Sequence, residues 1–147
     1  AEFLLRMVEK FILIAEDDSD DRFLLQSAFK ENGFSDRLIF VENGVELIDF
    51  LNEILAGKRG NVLPHFVILD LNMPKKDGRE VLKEIKSNPL YAHIPLIVFS
   101  TTNNEMEMKR CYEMGANCYV TKPISFEILK KTVADLRNQW INSTVVY

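Results

Sequence analysis

Acidic residues, a hydroxyl and a lysine follow short apolar segments at several points of the chain. Phe66-Val-Ile-Leu leads directly into Asp70, and the other segments lead into Glu16-Asp17-Asp18, Ser100-Thr101 and Thr121-Lys122-Pro123. Neighbouring carboxylates repel one another, and Mg²⁺ compensates their charge while leaving room for phosphate oxygens. A further carboxylate beside such an ion can attack phosphorus, while a lysine and a hydroxyl stabilise the phosphoryl oxygens. These residue types indicate phosphoryl acceptance by Asp70, with Mg²⁺ as cofactor.

The same acids also have a structural interpretation. The run from Asp17 to Asp21 could cap and charge the first turn of a helix, which is the preferred interpretation for Ser19, Asp20 and Asp21, with Asp18 at the edge of the site. Taken alone, Asp70 could equally be the cap of a strand end. Its combination with Glu16, Asp17 and Lys122 favours the chemical interpretation. His65 and His93 precede strands and are expected at the surface opposite the site, not as phosphohistidines.

Hydrophobic patterning predicts five strands that alternate with five helices, the elements that must position these residues. Strands are expected over residues 11–15, 37–41, 66–70, 95–100 and 117–121. Helices are expected over about residues 19–32, 43–56 and 78–87, then from a capping box at Thr102-Asn-Asn-Glu105 to Gly115, and over about 126–141.

Alternating strands and helices predict an α/β fold with an open parallel sheet. The strands are apolar without alternation, so helices are expected on both faces, as in a three-layer, doubly wound sandwich. The flavodoxin-like strand order 2-1-3-4-5 is the obvious candidate. In that order the carboxyl ends of strands one, three, four and five are neighbours, which would bring Glu16, Asp17, Asp70, Ser100 and Lys122 to one crevice.

Length and composition indicate a single globular domain. The chain has 147 residues, of which 47% are hydrophobic and 27% charged. A net charge of −4 gives no reason to expect nucleic acid or a membrane surface as partner. No apolar run approaches the ~20 residues that span a bilayer, and Cys111 and Cys118 form no metal-binding motif. These features favour a cytoplasmic protein with reduced thiols.

Residues 9–141 are assigned to the domain, residues 1–8 to an N-terminal extension, and residues 142–147 to a short C-terminal tail. The first methionine is Met7, so part of the extension is interpreted as vector-derived. The tail is too short for an output domain, so any output is expected to pass through a partner, self-association or onward phosphoryl transfer.

Four motifs resemble the response regulator receiver domains of two-component phosphorelay signal transduction. They are "ILIAEDD", "VILDLNMPKKDG", "VFST" and "GANCYVTKP", within a resemblance that covers about residues 9–140. The wording "LNMPKKDGREVLKEIK" and "NCYVTKP" is similar to single-domain, CheY-like receivers that partner phytochrome histidine kinases. The resemblance implies a phosphoprotein that carries an aspartyl phosphate, and a receiver domain over residues 9–141.

The resemblance assigns a role to each site position. Asp70 would be the phosphoacceptor, and Glu16, Asp17, Asp70 and the backbone carbonyl of Asn72 would hold the metal. Lys122 and Ser100 would bind the phosphoryl group, Ser100 and Tyr119 would form the switch, and Pro123 would be a cis-proline. Phosphorylation is expected to draw Ser100 towards the phosphoryl group and to swing Tyr119 inward, which would change the surface of helix four, strand five and helix five.

A histidine kinase or a phosphotransfer protein is the partner that the resemblance implies, and a homodimer through the helix four–strand five–helix five face is a further expectation. As a receiver the protein would not be an enzyme, apart from catalysing its own phosphorylation and dephosphorylation. Two alternatives are a phosphate ester hydrolase with an aspartyl phosphate intermediate and a degenerate receiver-like binding module. Asp70-Leu-Asn lacks the second acid that the common hydrolase pattern places two residues on.

Overall fold

The computed structural model describes residues 10–58 and 62–141, which form one five-stranded sheet with helices between the strands. The strands are β1 (Phe11–Ala15), β2 (Arg37–Val41), β3 (Phe66–Asp70), β4 (Leu96–Ser100) and β5 (Cys118–Thr121). The helices are α1 (Ser19–Glu31), α2 (Gly44–Leu55), α3 (Gly78–Ser87), α4 (Glu105–Glu113) and α5 (Phe126–Trp140). The strands therefore begin and end within one residue of the boundaries that the apolar runs predict.

All neighbouring strands are parallel and follow the order β2-β1-β3-β4-β5. This confirms the predicted flavodoxin-like α/β fold. Ala15 pairs with Leu69 and Asp70 with Phe99, so β1, β3 and β4 end at nearly the same level. The strand order reverses beside β1, and the crevice at this switch point is where such sheets bind ligands.

Apolar side chains fill both faces of the sheet. One core cluster includes Leu13, Val67 and Val98 with α2 and α3, and the other includes Ile14 and Ile68 with α1 and α5. Because β1, β3 and β4 are buried along their whole length, they have no in/out alternation. The helices on both faces explain this pattern, and they hold the strand ends in a fixed arrangement around the crevice.

Side-chain caps set the helix starts, and one of them differs from the prediction. Asn104, not Thr102, is the N-cap of α4, because its side-chain oxygen accepts hydrogen bonds from the backbone N–H groups of Met106 and Glu107. The Thr102 hydroxyl instead accepts a hydrogen bond from the Asn104 N–H. The capping box at residues 102–105 is therefore wrong by two residues.

Within the described residues, no helix has the length and apolar character that a membrane span requires. The predicted extension (residues 1–8) and tail (residues 142–147) lie outside the described residues. Cys111 and Cys118 are both free thiols, as predicted.

Candidate functional site

Three strand ends position the charged residues of the site. Glu16 follows β1, Asp70 ends β3, and Lys122 follows β5. Backbone hydrogen bonds fix two of these positions, because the Glu16 N–H donates to Val41 O at 3.0 Å and the Lys122 N–H donates to Ser100 O at 2.7 Å. The sheet therefore presents these three side chains to one crevice, as the sequence predicts.

The Lys122 ammonium lies among three carboxylates. Its Nζ donates to Glu16 Oε1 at 2.9 Å, to Asp21 Oδ2 at 3.0 Å and to Asp70 Oδ2 at 3.3 Å. An ammonium has three donors, so each N–H has one carboxylate acceptor. The sequence predicts only a role at the helix start for Asp21, and the structure places its carboxylate in the site as well. Its position three residues after the N-cap Asp18 is the signal that could have identified it.

Burial sets the electrostatics of this cluster. Burial in the crevice, together with the neighbouring Asp70 carboxylate, raises the pKa of Glu16 to about 7 even though Lys122 lowers it. Burial alone would lower the pKa of Lys122, but its hydrogen bonds to Glu16 and Asp21 raise this pKa above the usual range for lysine. Lys122 therefore stays a cation, whereas burial disfavours the ionised form of Glu16.

Three carboxylates are arranged so that one cation could contact them all. Glu16, Asp17 and Asp70 each offer an oxygen, and these oxygens lie within 4.8 Å of one another. Glu16 and Asp70 are buried whereas Asp17 is exposed, so the cluster faces solvent on one side. An all-oxygen donor set with an open side fits a hard divalent cation such as Mg²⁺ or Mn²⁺. Asp18 is not part of this group, since its side chain caps α1.

The loop after β3 keeps Asp70 in place. The Asn72 N–H donates to Asp70 Oδ1 at 3.0 Å, while the other carboxylate oxygen accepts from Lys122. Asp70 is 4% exposed, so its carboxylate is reached only from the mouth of the crevice. The carbonyl of Asn72 as a metal ligand stays a prediction.

The two switch candidates already contact one another. Ser100 is fully buried, and its Oγ accepts a hydrogen bond from the Thr102 N–H at 3.3 Å. The Tyr119 hydroxyl donates to Thr102 O at 2.8 Å and also hydrogen bonds with Ser100. Tyr119 is 7% exposed, so its ring is buried. The Thr102 carbonyl and the surrounding core hold the ring in this position, and a movement of Tyr119 on phosphorylation stays a prediction.

The peptide bond between Lys122 and Pro123 corrects another expectation. Residues 10–58 and 62–141 contain no cis peptide bond, so Pro123 is not a cis-proline in this structure. The isomers of a bond before proline differ by only about 0.5–1 kcal/mol. Lys122 reaches all three carboxylates with the trans bond.

A cleft of about 470 Å³ opens beside the crevice, between the loops after β3 and β4. Asn72 and Thr102 line it, together with Arg79 from α3 and Glu107 and Arg110 from α4. Arg79 forms an ion pair with Glu107, which connects the two helices across the cleft. The cleft gives access to the loops around the site, and its walls carry both signs of charge.

His65 and His93 lie away from this crevice, as predicted. Both line a separate cleft with Trp140, next to the starts of β3 and β4. The carboxyl and amino ends of parallel strands lie at opposite edges of a sheet, so neither imidazole can reach Asp70.

Comparison with known proteins identifies the family. The family model described as "Response regulator receiver domain" matches residues 12–134. Response regulator Rcp1 of Synechocystis sp. is 38% identical over 138 residues, which cover 93% of this chain and 92% of Rcp1. The probable methanogenesis regulatory protein FilR2 of Methanothrix harundinacea is 37% identical over 130 residues, which cover 88% of this chain and 83% of FilR2.

Solved structures agree with these relatives. The Mn²⁺-bound form of Rcp1 superimposes with a TM-score of 0.78 at 38% identity, covering 91% of this chain and 96% of that one. The phosphorylated cyanobacterial phytochrome response regulator RcpA superimposes with a TM-score of 0.79 at 34% identity, covering 92% and 96%.

The fold, the acidic crevice and these matches define the class of protein: the chain belongs to the response regulator receiver family. It is homologous to the phytochrome response regulators Rcp1 and RcpA, and so to receivers of two-component signalling. Receiver domains are signalling proteins rather than classical enzymes, they bind a divalent metal, and they interact with a histidine kinase or a phosphotransfer partner.

Proposed function

We propose that this protein is a stand-alone receiver that accepts a phosphoryl group on Asp70 from a phosphohistidine of a histidine kinase or phosphotransfer protein. The observation that carries this proposal is the buried Asp70 carboxylate, held by Lys122 and the Asn72 N–H beside two further acids. Phosphoryl transfer requires chiefly positioning and charge neutralisation. A cytoplasmic location belongs to the same proposal.

In the transfer, one oxygen of Asp70 forms a bond to phosphorus while the bond from phosphorus to the donor imidazole nitrogen breaks. The imidazole keeps the electron pair of that bond. Lys122 neutralises charge on the phosphoryl oxygens, and the Ser100 hydroxyl donates a hydrogen bond to one of them. In the later release, a water oxygen binds phosphorus, the Asp70 carboxylate departs with the electron pair, and inorganic phosphate leaves with the water protons. The chain would catalyse only these two reactions on itself.

Glu16, Asp17 and Asp70, with the carbonyl of Asn72, would hold Mg²⁺ for this chemistry. When bound, the ion neutralises the negative charge that develops on the phosphoryl oxygens. Its presence also favours the ionised form of Glu16, whose pKa is otherwise raised by burial.

Two exposed apolar residues at the mouth of the crevice fit a docking surface for the phosphodonor protein. Leu24 lines a small cleft with Asp21, Lys122 and Pro123, and the neighbouring Ile124 is fully exposed. The donor imidazole must approach Asp70 through this mouth, so the donor protein must cover these side chains. We expect Ile124→Ser to slow transfer from a cognate kinase without slowing transfer from acetyl phosphate.

Leu90→Ser is the matched control for this docking surface, because Leu90 is 57% exposed but follows α3, away from these residues. Equal rates of phosphoryl transfer from the kinase to the Ile124→Ser and Leu90→Ser variants would show that Ile124 does not belong to the docking surface.

A homodimer through α4, β5 and α5 is a second part of the proposal. Met106 and Tyr112 of α4 are 68% and 47% exposed, whereas Cys111 is buried in the core. The Tyr112 hydroxyl accepts a hydrogen bond from the Tyr119 N–H, so this face contacts the switch candidate directly. Sedimentation with and without beryllofluoride, which mimics the phosphoryl group on Asp70, tests the dimer. An unchanged association state at saturation would reject phosphorylation-dependent dimerisation.

The experiment for the function itself is incubation with acetyl phosphate and Mg²⁺, followed by intact-mass measurement. The wild type should gain one phosphoryl group, and Asp70→Asn should gain none while keeping its circular dichroism spectrum. A hydrolase would instead turn over phosphate esters, and a degenerate module would do neither. Retention of wild-type labelling in Asp70→Asn would reject Asp70 as the acceptor.

A further inference from the structure

The first turn of α1 brings a carboxylate to Lys122 that takes no part in the proposed chemistry. Asp21 Oδ2 lies 3.0 Å from Lys122 Nζ, closer than Asp70 Oδ2 at 3.3 Å. The cap at the start of α1 fixes this position, because the Asp21 N–H donates to Asp18 Oδ1 at 3.0 Å. Lys122 therefore has a carboxylate on its outer side as well as the two buried ones.

A phosphoryl group on Asp70 needs at least one N–H of Lys122, and all three N–H groups are already used. Glu16 is buried with its oxygen 2.9 Å from the ammonium, whereas the Asp21 side chain is 37% exposed. Asp21 also adds a negative charge at the mouth through which an anionic phosphodonor must pass. The negative charge of Asp21 repels an incoming phosphoryl group, and its hydrogen bond keeps Lys122 from turning towards that group.

From this geometry we propose that Asp21 is a positioning residue that holds Lys122 towards the solvent side of the site and so slows phosphoryl uptake by Asp70. The inference rests on the proposed function, and it assigns to Asp21 a restraint on the rate rather than a contact with the phosphoryl group. Removing the charge would weaken this hydrogen bond, so that one N–H of Lys122 turns more readily to the incoming phosphoryl oxygens.

The test compares Asp21→Asn with Asp20→Asn in the full chain. Asp20 is exposed, belongs to the same helical turn and makes no side-chain contact to Lys122. With acetyl phosphate and Mg²⁺, Asp21→Asn should take up the phosphoryl group roughly two- to fivefold faster than the wild type, the range that a partly exposed ion pair supports. Asp20→Asn should match the wild type, and Asp21→Glu, which keeps the carboxylate, should restore the slow rate.

A spectroscopic measurement separates repositioning of Lys122 from a general effect of charge. The Cε–H signal of Lys122 in ¹³C-labelled protein should shift in Asp21→Asn and stay in place in Asp20→Asn. Equal uptake rates for the two variants, or slower uptake in Asp21→Asn, would overturn the inference. Failure of the wild type to take up any phosphoryl group would instead reject the proposed function, so the two failures are distinguishable.

Discussion

Gly78 allows the start of α3 to approach the backbone at the end of β3, and replacing it should reduce stability and disturb the site. A Cβ atom at this position would lie 2.5 Å from Leu71 Cα, 2.6 Å from Asp70 O and 2.9 Å from Leu71 O. Carbon atoms in contact normally lie about 3.5–4.0 Å apart. Since all three neighbours are backbone atoms, no side chain can rotate away, and the helix start or the loop after β3 must shift by about 1 Å.

The expected cost of Gly78→Ala follows from these contacts. Overpacking costs about 1–3 kcal/mol, and the hydrogen bond from the Gly78 N–H to Leu71 O, 3.0 Å long, would be weakened, which adds about 1 kcal/mol. The free energy of unfolding should therefore fall by about 2–4 kcal/mol. Urea denaturation at fixed pH, followed by circular dichroism, measures this difference.

Gly33→Ala is the matched control. Gly33 has a φ of +78° after α1, but a Cβ there would meet nothing within 4 Å. Its cost is only that of a left-handed backbone for alanine, about 1–2 kcal/mol, and the site should not change. Gly78→Ala should in addition weaken Mg²⁺ binding, because Asp70 and Leu71 must move. A loss of stability in Gly78→Ala no greater than in Gly33→Ala, with unchanged Mg²⁺ affinity, would refute this reasoning.

Three further predictions address the carboxylate cluster around Asp70, the hydrogen bond of Tyr119 and the opposite end of the sheet. Asp17→Ala should weaken Mg²⁺ binding at least roughly tenfold, an effect that even the loss of residues hydrogen-bonded to metal ligands can reach, whereas Asp20→Ala should not weaken it. Calorimetric titration measures both affinities, and equal losses would indicate a diffuse acidic patch. Tyr119→Phe removes the hydrogen bond to the loop after β4 and should lower the free energy of unfolding by about 1 kcal/mol. Urea denaturation measures this difference, and an unchanged free energy of unfolding would contradict the prediction. Burial and the charge of Lys10 lower the pKa of the His65 imidazole from 6.5. The folded state therefore binds a proton at His65 less readily than the unfolded state does, and the protein loses stability as pH falls through 6.5. His65→Gln should lose less stability between pH 7.5 and 5.5 than the wild type, and identical pH profiles would contradict this.

The sequence predicts the sheet well because its strands are continuous apolar runs. Residues 11–15, 37–41 and 66–70 form strands with the expected boundaries. A run buried on both faces needs helices on both sides, and this requirement leaves few possible topologies. The start of α4 was less predictable, since Thr102 and Asn104 are both good N-cap residues. In the structure the Thr102 carbonyl accepts a hydrogen bond from the Tyr119 hydroxyl, a partner that only the tertiary fold brings to this loop, and the helix begins after Asn104.

The candidate site shows the same division between local pattern and tertiary geometry. Strand ends predict Glu16, Asp70 and Lys122 because parallel strands bring their carboxyl ends to one edge. The side-chain conformation of Tyr119 could not be predicted in this way, because the residue types around it do not show that its hydroxyl donates to Thr102 O. The isomer of the bond before Pro123 is equally hidden, since the two isomers differ so little in free energy.

The acidic run after β1 shows how one cap can decide which acid reaches a site. Successive residues of an α-helix are rotated by about 100° around its axis, as 3.6 residues per turn require. Asp18 is the N-cap, which places Asp21 in the first turn on the side of Lys122. Had Asp17 or Ser19 been the cap, the helix would begin one residue earlier or later and a different side chain would face the ammonium. The composition of such a run therefore predicts its charge, whereas the choice of N-cap determines which of its carboxylates can act on Lys122.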